Sequence, residues 1–143
     1  MRAPNRVVSV IYRDGKILLV HRFRAGSEFW VFPVAMVELG EDPDAAMKRK
    51  IQEATGLTLF SSQQLFEEMD EHAFTWFYYV GELGPGVPVF GGPEAEEQSP
   101  TNQYILEWVD PGQLTVLKPY PLPDRLVAAL KNTTLVTHPF GQL

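Results

Sequence analysis

The chain reads as an α/β protein with a mixed β-sheet lying between helices, and three observations lead there. Two apolar, β-branched runs flank Asp14-Gly15, a strong two-residue hairpin signal. A helix with recognisable start and stop residues follows across residues 43–55. Residues 72–83 (HAFTWFYYVGEL) are apolar on both faces, the pattern of a strand buried between layers. Strands and helices alternating in mixed order imply a sheet covered on both sides.

Residues 6–12 are rich in Val and Ile and form the first expected strand, with residues 16–22 (KILLVHR) as its hairpin partner. A loop containing Gly26 leads to a short aromatic strand at 29–32 (FWVF), which Pro33 stops. Asp42 and Pro43 suit the N-cap and first position of the helix, and Gly56 supplies its left-handed stop. Met47, Ile51 and Ala54 recur at core-facing spacing. Residues 57–65 read as a strand or extended segment, and 72–83 as the longest strand. Residues 84–103 read as a long loop without regular structure, carrying Gly-Pro steps and then Glu94, Glu96 and Glu97. A strand at 104–109, a short turn or helix at DPGQL, and a helix from Pro123-Asp124 to Lys131 complete the assignment, with Leu126, Val127 and Leu130 facing inward. No element is assigned from Thr133 onward.

With 143 residues, 45% of them apolar, the chain fits one domain spanning residues 1–143 with a sizeable core. A net charge of −6 argues against a general nucleic-acid surface, so no polymer partner is expected. It does not exclude a nucleotide, because a divalent cation can bridge two anionic partners. The chain has no cysteine, which removes disulfides and thiolate metal sites and suits a reducing cytoplasm. The N-terminal apolar run is broken by Arg13 and Asp14, too early for a signal sequence, and no run reaches the length of a membrane span. A cytoplasmic protein without membrane attachment is expected.

Residues 35–57 supply Ala35, five residues, Glu41, seven residues, and then Arg49-Lys50-Ile51-Gln52-Glu53-Ala54-Thr55-Gly56-Leu57. This stretch resembles the Nudix box, G-x(5)-E-x(7)-R-E-U-x-E-E-x-G-U with U aliphatic, and keeps its spacing throughout. The lead-in WVFP is also similar to that family's approach to the box. So is the wider order of hairpin, aromatic strand, box helix, long strand, acidic loop, Trp-Val strand and C-terminal helix. The likeness to the MutT-like Nudix hydrolases therefore covers most of the chain, and implies a Nudix-type α/β/α sandwich.

That resemblance implies hydrolysis of a nucleoside diphosphate derivative, such as a nucleoside triphosphate or ADP-ribose, with Mg²⁺ or Mn²⁺ held on box glutamates. The chemistry accounts for such residues. Attack of water on a diphosphate adds negative charge to a group already dense with it, and divalent metals neutralise and orient it. Hard metals take oxygen ligands, which a helix offers on one face at i, i+3 and i+4. Positions 50, 53 and 54 have that spacing, but this chain has Lys50 and Ala54 where the pattern has glutamates, and Val34-Ala35 where it has Gly-Gly. Across positions 41, 50, 53 and 54 the family pattern carries four negative charges, and this chain a net −1. At about 5 Å and an effective dielectric of about 20, an ammonium repels a divalent ion by several kcal/mol. Lys50 must then swing away, pair with Glu53, or keep the metal out.

Mg²⁺ often uses only one or two protein carboxylates. Glu53 and Glu41 meet that minimum, the Ala35 carbonyl offers a backbone ligand, and Glu94 or Glu97 of the acidic loop can add another. Val34 is hard to place if the loop requires positive φ. Lys50 can also touch phosphate directly. The catalytic candidates are thus Glu53, Arg49 and Lys50, the metal candidates Glu53, Glu41, Ala35, Glu97 and Glu94, and the base-stacking candidates Trp30 and Phe90. Each has a plainer alternative. Glu53 is equally a helix carboxylate paired with Arg49 or Lys50, Glu41 a favourable charge near the helix start, Arg49 a structural ion-pair partner, and the loop glutamates solvated side chains. Trp76, Phe77 and Tyr79 read as core, and His21, His72 and His138 as structural or surface residues. The expected ligand is a small-molecule nucleotide. The functional alternatives are a hydrolase altered at Lys50 and Ala54, a catalytically impaired nucleotide-binding or regulatory module, and a protein that keeps only the fold.

Overall fold

Strand β1 (Arg2–Arg13) organises the sheet, because its neighbours change along its length. The computed structural model describes residues 2–133; the tail beyond them, with His138, lies outside the described residues. β1 pairs in parallel with β6 (Thr75–Leu83) from Arg6↔Trp76 to Tyr12↔Glu82. Its other edge is divided. Ile11 to Arg13 pair with β2 (Lys16–Arg24), whereas Arg6 to Val8 pair with β4 (Val34–Glu38), both antiparallel. Beyond the hairpin, β2 leaves β1 and pairs with β3 (Ser27–Val31) on one side and β7 (Asn102–Val109) on the other. β5 (Leu59–Met69) closes the far edge against β6. These seven strands form one mixed sheet that splays where β1 and β2 part.

The alternation along β1 defines two cores. Val7 and Ile11 face helix α1 (Pro43–Thr55) and its Ala46, Met47 and Ile51, all fully buried. Val8 and Val10 face the opposite side, with Phe66, Tyr78 and Leu126. That side is covered by a 3₁₀ turn at Pro111–Gln113, short helix α3 (Leu114–Leu117) and helix α4 (Asp124–Lys131), whose Leu126 is inserted in the core. Helices therefore lie on both faces of a mixed sheet, as the sequence predicts. No helix among the described residues is long and apolar enough to cross a membrane.

Local chemistry explains the element ends. Asp14 and Gly15 both take positive φ, 55° and 75°, the geometry of the tight hairpin turn that matches strand twist. Gly56 ends α1 at φ 74°, its N–H donating to the Gln52 carbonyl at 2.9 Å. Asp42 holds the extended N-cap backbone but makes no side-chain cap bond.

Three expectations are corrected. The aromatic strand does stop before Pro33, but residues 34–38 then form β4, so Val34 and Ala35 have ordinary strand backbone rather than a glycine-like turn. The strand expected from His72 begins at Thr75, because Asp70 gathers the intervening chain: its carboxylate accepts from the His72 and Phe74 amides at 2.8 and 3.0 Å. Residues 84–103 are not a structureless loop. The amides of Gly84 and Val89 donate to the carbonyls of Thr58 and Thr55, and helix α2 (Pro93–Glu96) forms within the segment.

Ile51 has no exposed surface and anchors α1 to the sheet. Ile51→Ala is expected to lower stability by about 2–5 kcal/mol, read by urea unfolding.

Candidate functional site

Arg49 is the hub of the box segment. Its Nε and Nη2 donate to the two carboxylate oxygens of Glu41, each at 3.0 Å. Nη2 also donates to the Met36 carbonyl at 2.9 Å, and Nη1 to Glu53 Oε1 at 3.3 Å. The guanidinium thus ties α1 to β4 and to the turn between them. Glu41 Oε1 additionally accepts from the Glu38 amide at 3.0 Å. The paired guanidinium holds the Glu41 carboxyl below its ordinary value, and the same bonds push Arg49 up.

Lys50 faces away from this network. Its Nζ donates to the Glu94 carboxylate on α2, forming an ion pair across 44 residues of chain. The pairing with Glu53 that helical spacing offers is not the one made. Glycines permit the approach. Gly92 sits at φ 84°, ψ −172°, a region that only glycine occupies readily, and a Cβ there would meet the Glu53 side chain at 3.2 Å. A Cβ on Gly91 would meet the Glu53 carbonyl at 2.9 Å.

Lys50, Ala54 and Glu94 line a cleft of about 760 Å³ where the sheet splays. Its walls carry aromatic rings and charges of both signs, with Arg6, Arg22 and Lys50 set among Glu68, Asp70, Glu71 and Glu94. Phe90 stacks on Tyr104 with centroids 5.1 Å apart, and the Arg22 guanidinium lies 3.7 Å from the Tyr104 centroid. Further along, Arg6 lies over Phe74 and Trp76, and the Trp76 indole N–H donates to Asp70 at 2.8 Å. That bond holds the Asp70 carboxyl below its ordinary range. Burial pushes the Tyr78 phenol up to about 12, so it stays neutral.

The candidate residues divide accordingly. Lys50, Glu94 and Phe90 come together at the cleft; Glu53, beside Gly92, is not among the cleft-lining residues. Glu41 and Arg49 form the network behind it. Ala35 is buried in β4 opposite Val7. Trp30 is not among the cleft-lining residues; its ring stacks on His21 at 3.8 Å, and His21 is itself held between Glu28 and Glu107. Glu97 and Glu96 are exposed, and Glu97 contributes its carbonyl to Asn102. Sequence reasoning missed Arg6, Arg22 and Tyr104 as cleft residues and assigned Trp76 to core alone. The period-two alternation of β2, which puts Val20 and Arg22 on one face, is the signal that points to Arg22.

A family model described as the NUDIX domain matches residues 2–130. The chain belongs to the NUDIX family. A curated RNA pyrophosphohydrolase from Aeromonas hydrophila is 39% identical over 54 residues, a stretch covering 38% of this chain and 30% of that protein's length. Among solved structures, MutT as studied in Aliivibrio salmonicida and Vibrio cholerae superposes with a TM-score of 0.69 at 20% identity, over 91% of this chain and 97% of that one. A NUDIX hydrolase from Nitrosomonas europaea gives 0.63 at 18% identity, over 91% and 88%. A MutT NUDIX hydrolase from Burkholderia pseudomallei gives 0.59 at 27% identity, over 90% and 96%.

NUDIX proteins generally use divalent metals, but the side chains of this NUDIX chain do not make a complete site for one. Among the described residues no group of three or more His, Asp or Glu side chains is placed to hold a metal ion. Glu41 has both oxygens on Arg49, Glu53 has one there, and Glu94 is on Lys50.

Two outcomes follow from this geometry. Gly92→Ala is expected to lower stability by about 1–3 kcal/mol, read as a shift in thermal or urea unfolding. Glu41's lowered value means that its stabilisation is present above its ordinary 4.5 and is lost as pH falls through the native value. Arg49→Met should therefore be less stable than the native chain by about 2 kcal/mol at neutral pH. Urea unfolding repeated through the acid range should show that gap narrowing as pH drops below 4.5.

Proposed function

We propose that this NUDIX chain binds a small nucleotide bearing a diphosphate, of the nucleoside triphosphate or ADP-ribose type, and holds it with little turnover. The observation that carries the reading is the Lys50–Glu94 ion pair, which puts an ammonium where the family pattern has a carboxylate and occupies the loop glutamate that reaches the site. The cleft supports a nucleotide ligand: Phe90, backed by Tyr104, offers a ring for a base, and Lys50 lies on the same cleft wall. The net charge of −6 and the modest cleft favour a small molecule over a nucleic-acid polymer. The likeness to an RNA pyrophosphohydrolase spans 30% of that protein and does not bring its substrate with it. The absence of cysteine suits action in the cytoplasm.

Slow metal-dependent hydrolysis is the second reading. Glu53 favours it, since its Oε2 makes no hydrogen bond among the described residues and lies near Gly92, on the loop that brings Glu94 to Lys50.

A hydrolysis screen over nucleoside triphosphates and ADP-ribose, with Mg²⁺ and with Mn²⁺, separates the two. The native chain is expected to give turnover close to the blank, and Lys50→Glu/Ala54→Glu to gain on the order of 100-fold. Native turnover abolished by Glu53→Gln would overturn the binding reading in favour of the hydrolase.

A further inference from the structure

The mismatch between this side-chain set and a divalent ion leaves open what neutralises a bound phosphate. Four cations line the cleft or border it. Arg6 lies further along, its guanidinium over the Phe74 and Trp76 rings. Arg49 has its guanidinium on Glu41, Glu53 and the Met36 carbonyl. Arg22 donates to the Gln103 carbonyl at 3.1 Å and to Asn102 Oδ1 at 2.5 Å while stacking on Tyr104. Lys50 differs. Its side chain is 17% exposed, it lines the cleft, and its ammonium has three donors of which Glu94 takes one.

Glu94 is the more open partner, 41% exposed, on a four-residue helix. The loop that carries it is fixed independently by the Gly84–Thr58 and Val89–Thr55 backbone bonds and by the packing of Gly91 and Gly92 on Glu53. Glu94 can therefore leave Lys50 without the loop losing its anchors. Phe90, on the same loop, lines the same cleft.

We infer that Lys50 binds the ligand's phosphate directly, in place of the family's divalent ion, and that Glu94 is the internal anion the phosphate displaces. The inference rests on the nucleotide-binding reading above and adds to it a metal-independent mode of recognition. The exchange is balanced in kind: one anion replaces another on the same ammonium. The ligand prevails because a diphosphate brings more charge and more acceptor oxygens than a carboxylate, and uses the two remaining Lys50 donors. Glu94 then acts as a competitor that sets affinity, the reverse of a metal ligand.

Calorimetric titration of the full chain with ADP-ribose and the nucleoside triphosphates, in EDTA and in Mg²⁺, tests this. The affinity in EDTA is expected to lie within about twofold of that in Mg²⁺. Lys50→Met should weaken binding about tenfold or more, and Lys50→Arg should restore most of it. Glu94→Gln should tighten binding several-fold, because the competitor is gone. Binding seen only with Mg²⁺ would overturn the inference while leaving the nucleotide-binding reading intact. A Glu94→Gln variant that binds more weakly would overturn it as well, since Glu94 would then be holding a metal or the ligand. Absence of binding to every ligand in both buffers would remove the nucleotide-binding reading and this inference together. The Glu94→Gln arm decides the matter even if Lys50→Met fails to fold.

Discussion

The Arg49 guanidinium holds the box segment in shape. It bonds to a carbonyl on β4, to both oxygens of a carboxylate in the turn after it, and to a carboxylate one helical turn along α1. A planar fork with five donors suits this task, and a lysine could not span the same set. The eight-residue step from Glu41 to Arg49 is therefore a packing requirement in its own right. Glu41, Arg49 and Glu53 match the family pattern, and they are the residues joined by this network. Positions 34, 35, 50 and 54, where the chain departs from the pattern, lie outside it. The likeness has a structural cause that does not require an intact metal centre.

The second constraint is the divided edge of β1. Because β4 takes Arg6 to Val8 and β2 takes Ile11 to Arg13, β2 must diverge from β1, and the sheet opens along that line. Side chains that a flat sheet would bury against neighbouring strands instead face an opening: Arg22 from β2, Trp76 from β6 and Tyr104 from β7. The parallel pairing of β1 with β6 keeps the strands beneath it buried on both faces, which gives the cleft a rigid floor. The segment bearing Phe90 and Glu94 is held separately, by the Gly84–Thr58 and Val89–Thr55 backbone bonds.

Features set by neighbours in the chain were legible in the sequence. The Asp14-Gly15 turn, the Pro43 start and Gly56 stop of α1, and the inward face of Met47, Ile51 and Ala54 depend on residues within a few positions of one another. Features set by distant pairing were not. β4 is five residues long, begins after a proline, and exists because β1 offers it an edge, information that residues 34–38 do not contain. The acidic loop looked unstructured because its order comes from Gly91 and Gly92 packing on Glu53, and glycines read as flexible until a close approach explains them. Sequence spacing likewise offered Lys50 a helical neighbour, Glu53, whereas a partner 44 residues away takes it.

That long-range pair bears most on the chemistry. A divalent ion approaching Glu53 would meet two opposing effects: repulsion from the Lys50 ammonium, and the loss of the Lys50–Glu94 pair if it recruited Glu94 as well. An incoming phosphate is attracted to the ammonium; in the proposed exchange it also breaks the Lys50–Glu94 pair, but it leaves Lys50 with an anionic partner. Taking Glu41, Glu53 and Glu94 against Arg49 and Lys50, the site carries a net −1, too little negative charge to concentrate a divalent cation strongly. In the proposed exchange, freeing Glu94 would leave that total unchanged and leave the Lys50 ammonium to the ligand. The proposed mode follows from that charge arrangement: with lysine at position 50, the chain supplies the cation and the ligand would supply the anion.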